Sequence, residues 1–161
     1  MSGSLVQAET RARAGRVAVV LTATTVVALD LGVKAVSEVR LADSSVDLGV
    51  LQLQLTYNTG VAFSMGNKLP AGVLVAGSAV IASAIFAYAW RRAPRAGWAE
   101  LIAWGAVIGG AVANVIDRAL DGAVTDYLHT GWWPSFNLAD AFLVIGLVVI
   151  ALQNARGTNS T

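Results

Sequence analysis

The sequence contains no cysteine, one histidine and little charge. Without cysteine, the 161-residue chain has no disulfide, thiolate nucleophile or cysteine-ligated metal. With His129 as the single imidazole, a histidine-rich zinc site is not expected either, and we predict neither a metal nor a cofactor. The formal net charge of +1 is too small to indicate a nucleic-acid partner. Sulfur chemistry and nucleic-acid binding are therefore set aside.

Apolar residues are abundant instead. They make up 56% of the chain, against 13% charged residues, which is far too apolar for an ordinary soluble domain. A helix needs about 20 mostly apolar residues to cross the roughly 30 Å hydrocarbon core of a bilayer. The stretches that approach this length lie at about residues 17–36, 69–90, 97–117 and 136–152. We predict a single integral-membrane domain, residues 1–161, with four transmembrane helices and loose termini at 1–15 and 157–161.

Arginine is distributed unevenly between the predicted loops. One side of the membrane is flanked by Arg11, Arg13, Arg16, Arg91, Arg92, Arg95 and Arg156. Cytoplasmic loops carry such an excess, so we predict that both termini are cytoplasmic and that the first helix is an uncleaved anchor. Asp117, Asp126 and Asp140 would then gather at the outer surface of the membrane.

Apolar and polar residues alternate strictly in the segment Leu51–Asn58, after the first helix. This is the period of a strand with one apolar face. Because lipid cannot satisfy an open strand, we predict a small sheet at about residues 44–63 that lies on the membrane and partly covers the aspartates. Gly60 follows the strand and can adopt backbone angles closed to other residues.

Each acid near a predicted helix end also has a purely structural interpretation. Asn137 and Asp140 would form a capping pair at the start of the fourth helix. Asp126 would be a solvated loop acid. Asp117 and Arg118 would form an ion pair at the membrane interface, or the arginine would extend to the surface.

Asp30 and Lys34 interrupt the first apolar stretch. Their spacing of i, i+4 makes an intrahelical ion pair the simplest account.

Taken together, the acids favour chemistry, because ionisable groups at membrane depth are expensive and usually functional. Asp126 and Asp140 flank the short link between the third and fourth helices. Two carboxylates held close together cannot both ionise easily, so one keeps a proton while the other stays charged. Such a pair can activate water. A small proton-coupled carrier is the alternative, although it needs a polar route on both sides and the second helix has no charge.

Four motifs occur in order along the chain, namely NTGVAF at residues 58–63, GGAVANVIDR at 109–118, VTDY at 124–127 and FNLAD at 136–140. They resemble the motif set of the bacterial lipoprotein signal peptidases, the type II signal peptidases, over about residues 17–152. The resemblance implies an aspartic endopeptidase of the bacterial inner membrane. It would remove the signal peptide from prolipoproteins, just before a cysteine carrying diacylglycerol.

The resemblance also implies roles for single residues. It assigns the catalytic pair to Asp126 and Asp140, and we expect Asp140, at a helix N-terminus, to be the base. Supporting or substrate-binding roles fall on Asn58, Gly60, Asn114, Asp117, Arg118 and Asn137. Asp30 and Lys34 take structural roles, and Ala113 stands where the family commonly has glycine. The implied partners are prolipoprotein substrates and membrane lipid, and we expect a monomer.

Overall fold

The computed structural model describes residues 2–59 and 70–158, in which four long helices alternate with three short strands. The elements are α1 Ser2–Arg40, β1 Val46–Asp47, β2 Gln52–Asn58, α2 Ala71–Arg92, α3 Trp98–Asp121, β3 Val124–His129 and α4 Leu138–Thr158. Each of the four helices is long and apolar enough to cross a membrane. The predicted fold class, four membrane helices with a small sheet after the first, is therefore confirmed.

Helix α3 lies at the centre of the bundle and packs against the other three helices. Its glycines allow close approach on both sides. A Cβ added at Gly109 would lie 2.7 Å from the carbonyl oxygen of Ala23 in α1, and one at Gly110 would lie 2.5 Å from the carbonyl oxygen of Ala139 in α4. Small residues at such contacts let helix backbones approach each other in membranes. Helix α3 thereby holds α1 and α4 together.

Helix α2 is the least embedded of the four, with 6% of its apolar span buried. Its buried residues, Ala82 and Ala89, lie in its second half, where Ala89 joins a core with Val19 and Leu101. Its first half, residues 71–81, contains no buried residue. Helix α2 therefore meets the bundle mainly through its C-terminal half and leaves a cleft beside α3 at the other end.

The strands form one antiparallel sheet in the order β1-β2-β3. Strands β1 and β2 follow α1, whereas β3 comes from the link between α3 and α4, which sequence reasoning treated as a loop. Helix α3 ends at Gly122, whose φ of 75° reverses the chain directly into β3. Because of this turn, β3 runs back beside the helix ends and is buried from Val124 to Tyr127.

Strand β2 does not keep the strict alternation of its sequence. Leu53 pairs with Leu128 and Thr56 pairs with Asp126, so three steps along β2 match two steps along β3. The extra residue is a β-bulge, which changes the side of the sheet to which the following residues point. Directly opposed residues share a face, so the bulge puts Thr56 and Asn58 on the face that carries Asp126.

The N-terminal boundary of the first helix differs from the prediction. The expected loose end at 1–15 is helical from Ser2 onward, because this segment is rich in residues that favour helices, such as alanine, arginine, glutamate and glutamine. Where this extension meets α2, the guanidinium carbon of Arg16 lies 4.9 Å from the ring centre of Trp90, an attractive cation–π contact.

The fourth helix also differs at both ends. It begins at Leu138 rather than Phe136, because Phe136 pairs with Leu128 of β3. At the other end it continues to Thr158 instead of stopping at residue 152.

Candidate active site

The start of α4 is the structural centre of the candidate site. A helix leaves its first four backbone amides without partners in the helix itself. Here side chains accept from all four: Asn137 N donates to Asp140 Oδ2 (3.2 Å), Leu138 N to Tyr127 Oη (3.1 Å), Ala139 N to Asp30 Oδ1 (2.8 Å) and Asp140 N to Asn137 Oδ1 (3.0 Å). Asn137 and Asp140 form the reciprocal capping pair that the structural interpretation suggested. The first turn of α4 is thereby fixed to α1 and β3.

Both carboxylate oxygens of Asp140 accept N–H hydrogen bonds. Asn114 Nδ2 in α3 donates to Oδ1 at 2.8 Å, and Asn137 N donates to Oδ2 at 3.2 Å. Two N–H donors, one on each oxygen, are an arrangement suited to a carboxylate anion. Capping is therefore compatible with a chemical role for Asp140.

Asp126 is buried on β3, with 2% of its surface exposed, so the interpretation as a solvated loop acid is wrong. Asn137 Nδ2 donates to its Oδ1 at 2.9 Å, and Asn58 Nδ2 lies 3.4 Å from its Oδ2. Burial, followed by the negative charge of Asp140, raises the pKa of Asp126 from 3.8 to about 7. Asp126 therefore holds a proton readily near neutral pH.

Asn137 joins the two carboxylates and is completely buried. Its Oδ1 accepts from the backbone of Asp140, while its Nδ2 donates to Asp126 and lies 3.1 Å from Asn114 Oδ1. The structure thus brings Asn114, Asn137 and both predicted catalytic acids into one hydrogen-bonded group.

A buried ion cluster supports this group from the side of α1. Lys34, 3% exposed, places its ammonium 2.8 Å from Asp30, 2.9 Å from Asp117 and 2.8 Å from Asn114 Oδ1. Asp117 Oδ2 also accepts from the backbone amide of Thr125 at 2.8 Å. The cluster thereby fixes the strand residue that precedes Asp126.

Asp117 therefore pairs with Lys34, and the expected ion pair with Arg118 is not formed. In the part of the chain that the structure describes, Arg118 Nε is buried without a hydrogen-bond partner. The reason is helix geometry, because adjacent residues on a helix do not face each other. Arg118 instead lines a cleft.

This cleft has a volume of about 330 Å³ and lies between α2, α3 and α4. Its polar lining includes Asn58, Asn114, Arg118, Asp126 and Asp140. Apolar side chains, among them those of Ile81, Ile85 and Leu143, form the rest of the wall. Gly60, the remaining predicted site residue, lies outside the described residues.

Sequence reasoning missed three residues that support the site. Tyr127 accepts from the first turn of α4, and Thr125 Oγ1 lies 3.1 Å from Glu38 Oε1 of α1. A signal was present, because β-branched and aromatic residues directly after Gly122 favour a strand. Only the strand geometry, however, turns these side chains toward α1 and α4.

One acid that holds a proton beside one that accepts two N–H bonds can donate and accept protons at neutral pH. Located at the wall of a largely apolar cleft, such a pair suits the activation of water against an apolar substrate.

The sequence is similar to those of known proteins. The model of a family described as signal peptidase (SPase) II matches residues 22–156. Relatives named lipoprotein signal peptidase include one from Brucella ovis, 41% identical over 138 residues, which are 81% of this chain and 85% of the relative. Another, from Sulfurihydrogenibium sp., is 33% identical over 134 residues, which are 77% of this chain and 82% of the relative.

Solved structures agree with the fold. A bacterial membrane enzyme determined at 2.3 Å resolution has a TM-score of 0.74 at 24% identity, covering 89% of this chain and 90% of that one. A second, determined at 1.9 Å, has a TM-score of 0.68. With the family model matching most of the sequence, this chain belongs to the signal peptidase II family, the membrane aspartic proteases named lipoprotein signal peptidases.

Proposed function

We propose that this chain cleaves diacylglyceryl-modified prolipoproteins just before the lipidated cysteine, with Asp126 and Asp140 as the catalytic pair. The observation that carries the proposal is the connection of both carboxylates through Asn137 at the wall of the cleft. A pair of acids at such a position can serve as general acid and general base.

The cleft suits an apolar substrate helix. Ile81 and Ile85 of α2 and Leu143 of α4 line it, and its polar lining includes the sheet residues Asn58 and Asp126. Since the first half of α2 has no buried residue, a signal peptide would enter sideways from the lipid. Its scissile bond would lie beside the two acids, because they belong to the polar part of a cleft whose remaining wall is apolar.

Hydrogen bonding supports different roles for the two acids. Asp140 accepts an N–H bond on each oxygen, so it starts the reaction ionised and is the base. Asp126 receives one short bond on Oδ1, whereas Asn58 is 3.4 Å from Oδ2. We place the shared proton on that oxygen, and Asp126 is the acid.

The proposed reaction has two steps, over which the protons of the two acids balance. Asp140 takes a proton from water as the water oxygen bonds to the scissile carbonyl carbon, and Asp126 gives its proton to the carbonyl oxygen. The resulting tetrahedral diol collapses when its C–N bond breaks. Asp140 returns its proton to the departing amine of the lipidated cysteine, and Asp126 recovers a proton from a diol hydroxyl. Both acids end as they began.

Orientation and assembly complete the proposal. The sheet and the two acids lie at the end of the bundle where α1 and α3 finish and α4 begins. The arginine distribution supports cytoplasmic termini and a site at the outer face of the membrane. Arg118 Nε, buried beside the cleft, would bind oxygen atoms of the substrate or its lipid, and the enzyme would act as a monomer.

The test uses the purified chain in lipid and two forms of one precursor, with and without diacylglycerol on the cysteine. We expect cleavage of the lipidated form alone, with a product that begins at the modified cysteine, identified by mass spectrometry. Equal cleavage of both forms, or cleavage at another bond, would contradict the proposal. The Asp126→Asn variant serves as the inactive control.

A further inference from the structure

Asparagine side chains have a donor end and an acceptor end of nearly the same shape. The end of Asn114 that faces Asp140 therefore matters. The NH₂ end can donate to a carboxylate, whereas the carbonyl end would place one oxygen against another. Something has to hold the Asn114 side chain in one of these two orientations.

Lys34 does so, because an ammonium group donates hydrogen bonds and never accepts them. Its Nζ lies 2.8 Å from Asn114 Oδ1, so that oxygen has to face α1. The opposite end, Nδ2, then points at Asp140 Oδ1, 2.8 Å away. Asp30 and Asp117 hold Lys34 at 2.8 and 2.9 Å, so the ammonium is fixed in this position.

The second amide is fixed in the same sense. The backbone N–H of Asp140 donates to Asn137 Oδ1, and this leaves Asn137 Nδ2 to face Asp126 and the oxygen of Asn114. Asn114 Oδ1 is thus the common acceptor for Lys34 and Asn137. Two donors on Asn114 Oδ1, the ammonium of Lys34 and Asn137 Nδ2, thus leave Asn114 Nδ2 to donate to Asp140.

We propose that Lys34 is a positioning residue for the peptidase reaction, which acts by holding the donor end of Asn114 toward Asp140. In the described residues no ion pair joins Lys34 to Asp140, so its effect passes through the Asn114 amide. The inference deepens the proposed function and rests on it. The competing account is that Lys34 only balances the charges of Asp30 and Asp117.

A double-mutant cycle separates the two accounts, because residues that act through one another are not additive. Removing Lys34 alone would leave two buried acids unpaired, so the cycle is built on Asp117→Asn, which keeps an oxygen for the amide of Thr125. Lys34→Met and Asn114→Leu are added to this background separately and together. Activities are compared only among variants whose thermal midpoint lies within about 5 °C of that of Asp117→Asn.

We expect either addition to lower kcat at least about 10-fold, as misplacement of catalytic groups does, with little change in KM. The enzyme with both additions should be no slower than the one carrying Asn114→Leu. A kcat unaffected by Lys34→Met, or losses that multiply, would overturn the inference.

If the methionine variants do not fold, Lys34→Arg, which keeps a donor-only side chain, should retain cleavage that Lys34→Gln loses. The opposite order would also overturn it.

A pH profile separates the charge of Lys34 from its effect on Asn114. The positive charge of Lys34 lowers the pKa of Asp126, so Lys34→Met should shift the high-pH limb of kcat/KM to higher pH in either account. Asn114→Leu, which keeps this charge, should lower kcat and leave that limb in place. Failure of the wild-type chain to cleave lipidated precursor would defeat the proposed function itself. Wild-type cleavage together with additive losses would defeat only the role of Lys34.

Discussion

Asp30 and Ala139 lie 109 positions apart in the sequence, yet the carboxylate of Asp30 accepts a 2.8 Å hydrogen bond from the backbone amide of Ala139. Asp30 is completely buried and its other oxygen pairs with Lys34. Helix α1 therefore holds the turn of α4 that carries Asp140.

Replacing Asp30 should test this link through stability. Asp30→Ala removes one member of a buried ion pair and a helix cap, so we expect a loss of about 3–5 kcal/mol in the free energy of unfolding. Asp30→Asn keeps an oxygen for the Ala139 amide and should lose less. Chemical denaturation in detergent measures both, with the exposed Glu9→Ala as control. Equal losses for the two Asp30 variants would contradict the capping role.

The catalytic pair can be separated from the capping pair by Asp140→Asn. The amide oxygen still accepts the capping bond from Asn137 N, but its NH₂ group then faces the donor Asn114 Nδ2, so stability should fall by about 1–3 kcal/mol. An amide cannot exchange a proton, so cleavage should fall at least about 100-fold, and Asp126→Asn should act alike. The double variant should be scarcely slower than either single one, because the two acids act as a unit.

Conversion of lipidated precursor at matched membrane expression is the measurement for these variants. Asp43→Asn and Asp121→Asn change exposed acids outside the motifs and serve as controls that should cleave normally. Near-normal cleavage by either Asp126→Asn or Asp140→Asn would remove the catalytic assignment.

The acid role of Asp126 predicts a pH dependence. Its pKa is raised by burial to about 7, so the protonated form needed for donation is present below that pH and lost above it. We expect kcat/KM to fall as the pH rises through about 7, since this parameter reports the ionisation of the free enzyme. A profile that instead rises through this range would make Asp126 the base.

Gly110 tests how closely α3 must approach α4. A Cβ there would lie 2.5 Å from the Ala139 carbonyl oxygen, so Gly110→Ala forces the start of α4 to move. We expect a loss of about 1–3 kcal/mol from overpacking and slower cleavage. Gly77→Ala is the matched control, because its Cβ would meet nothing within 4 Å. Unchanged stability and cleavage in Gly110→Ala would show that the contact is relaxed easily.

Topology is tested with reporter fusions. A reporter after residue 161 should give a cytoplasmic signal and one near residue 120 an external signal, since arginine-rich loops stay inside. The reverse pattern would put the two acids on the cytoplasmic side, away from translocated precursors.

Composition alone predicted the membrane helices, because lipid requires long apolar segments to satisfy their own backbone hydrogen bonds. The ordered motifs likewise located the acids and asparagines that the structure brings together. The partners of Lys34 were only half predicted. Asp30 is one turn away on the same helix, but Asn114 is 80 positions distant, and no local pattern encodes such a contact.

Strand β3 and the bulge in β2 were missed for a related reason. Burial on both faces removes alternation from Val124–Tyr127, so the usual period of a strand is absent there. The bulge appears only when Leu53 and Thr56 are paired with their partners in β3. Each depends on the neighbouring strand rather than on its own sequence.

The fully occupied start of α4 has a consequence for the transition state. Within the described residues 137–140, every backbone amide already donates to a side chain. Helix α4 therefore offers no oxyanion hole of the kind that stabilises negative oxygen in many acyl-transfer enzymes. In the proposed mechanism, charge developing on the substrate oxygen is therefore neutralised by the proton of Asp126 rather than by amides of α4, which favours attack by water and protonation of the carbonyl oxygen in the same step.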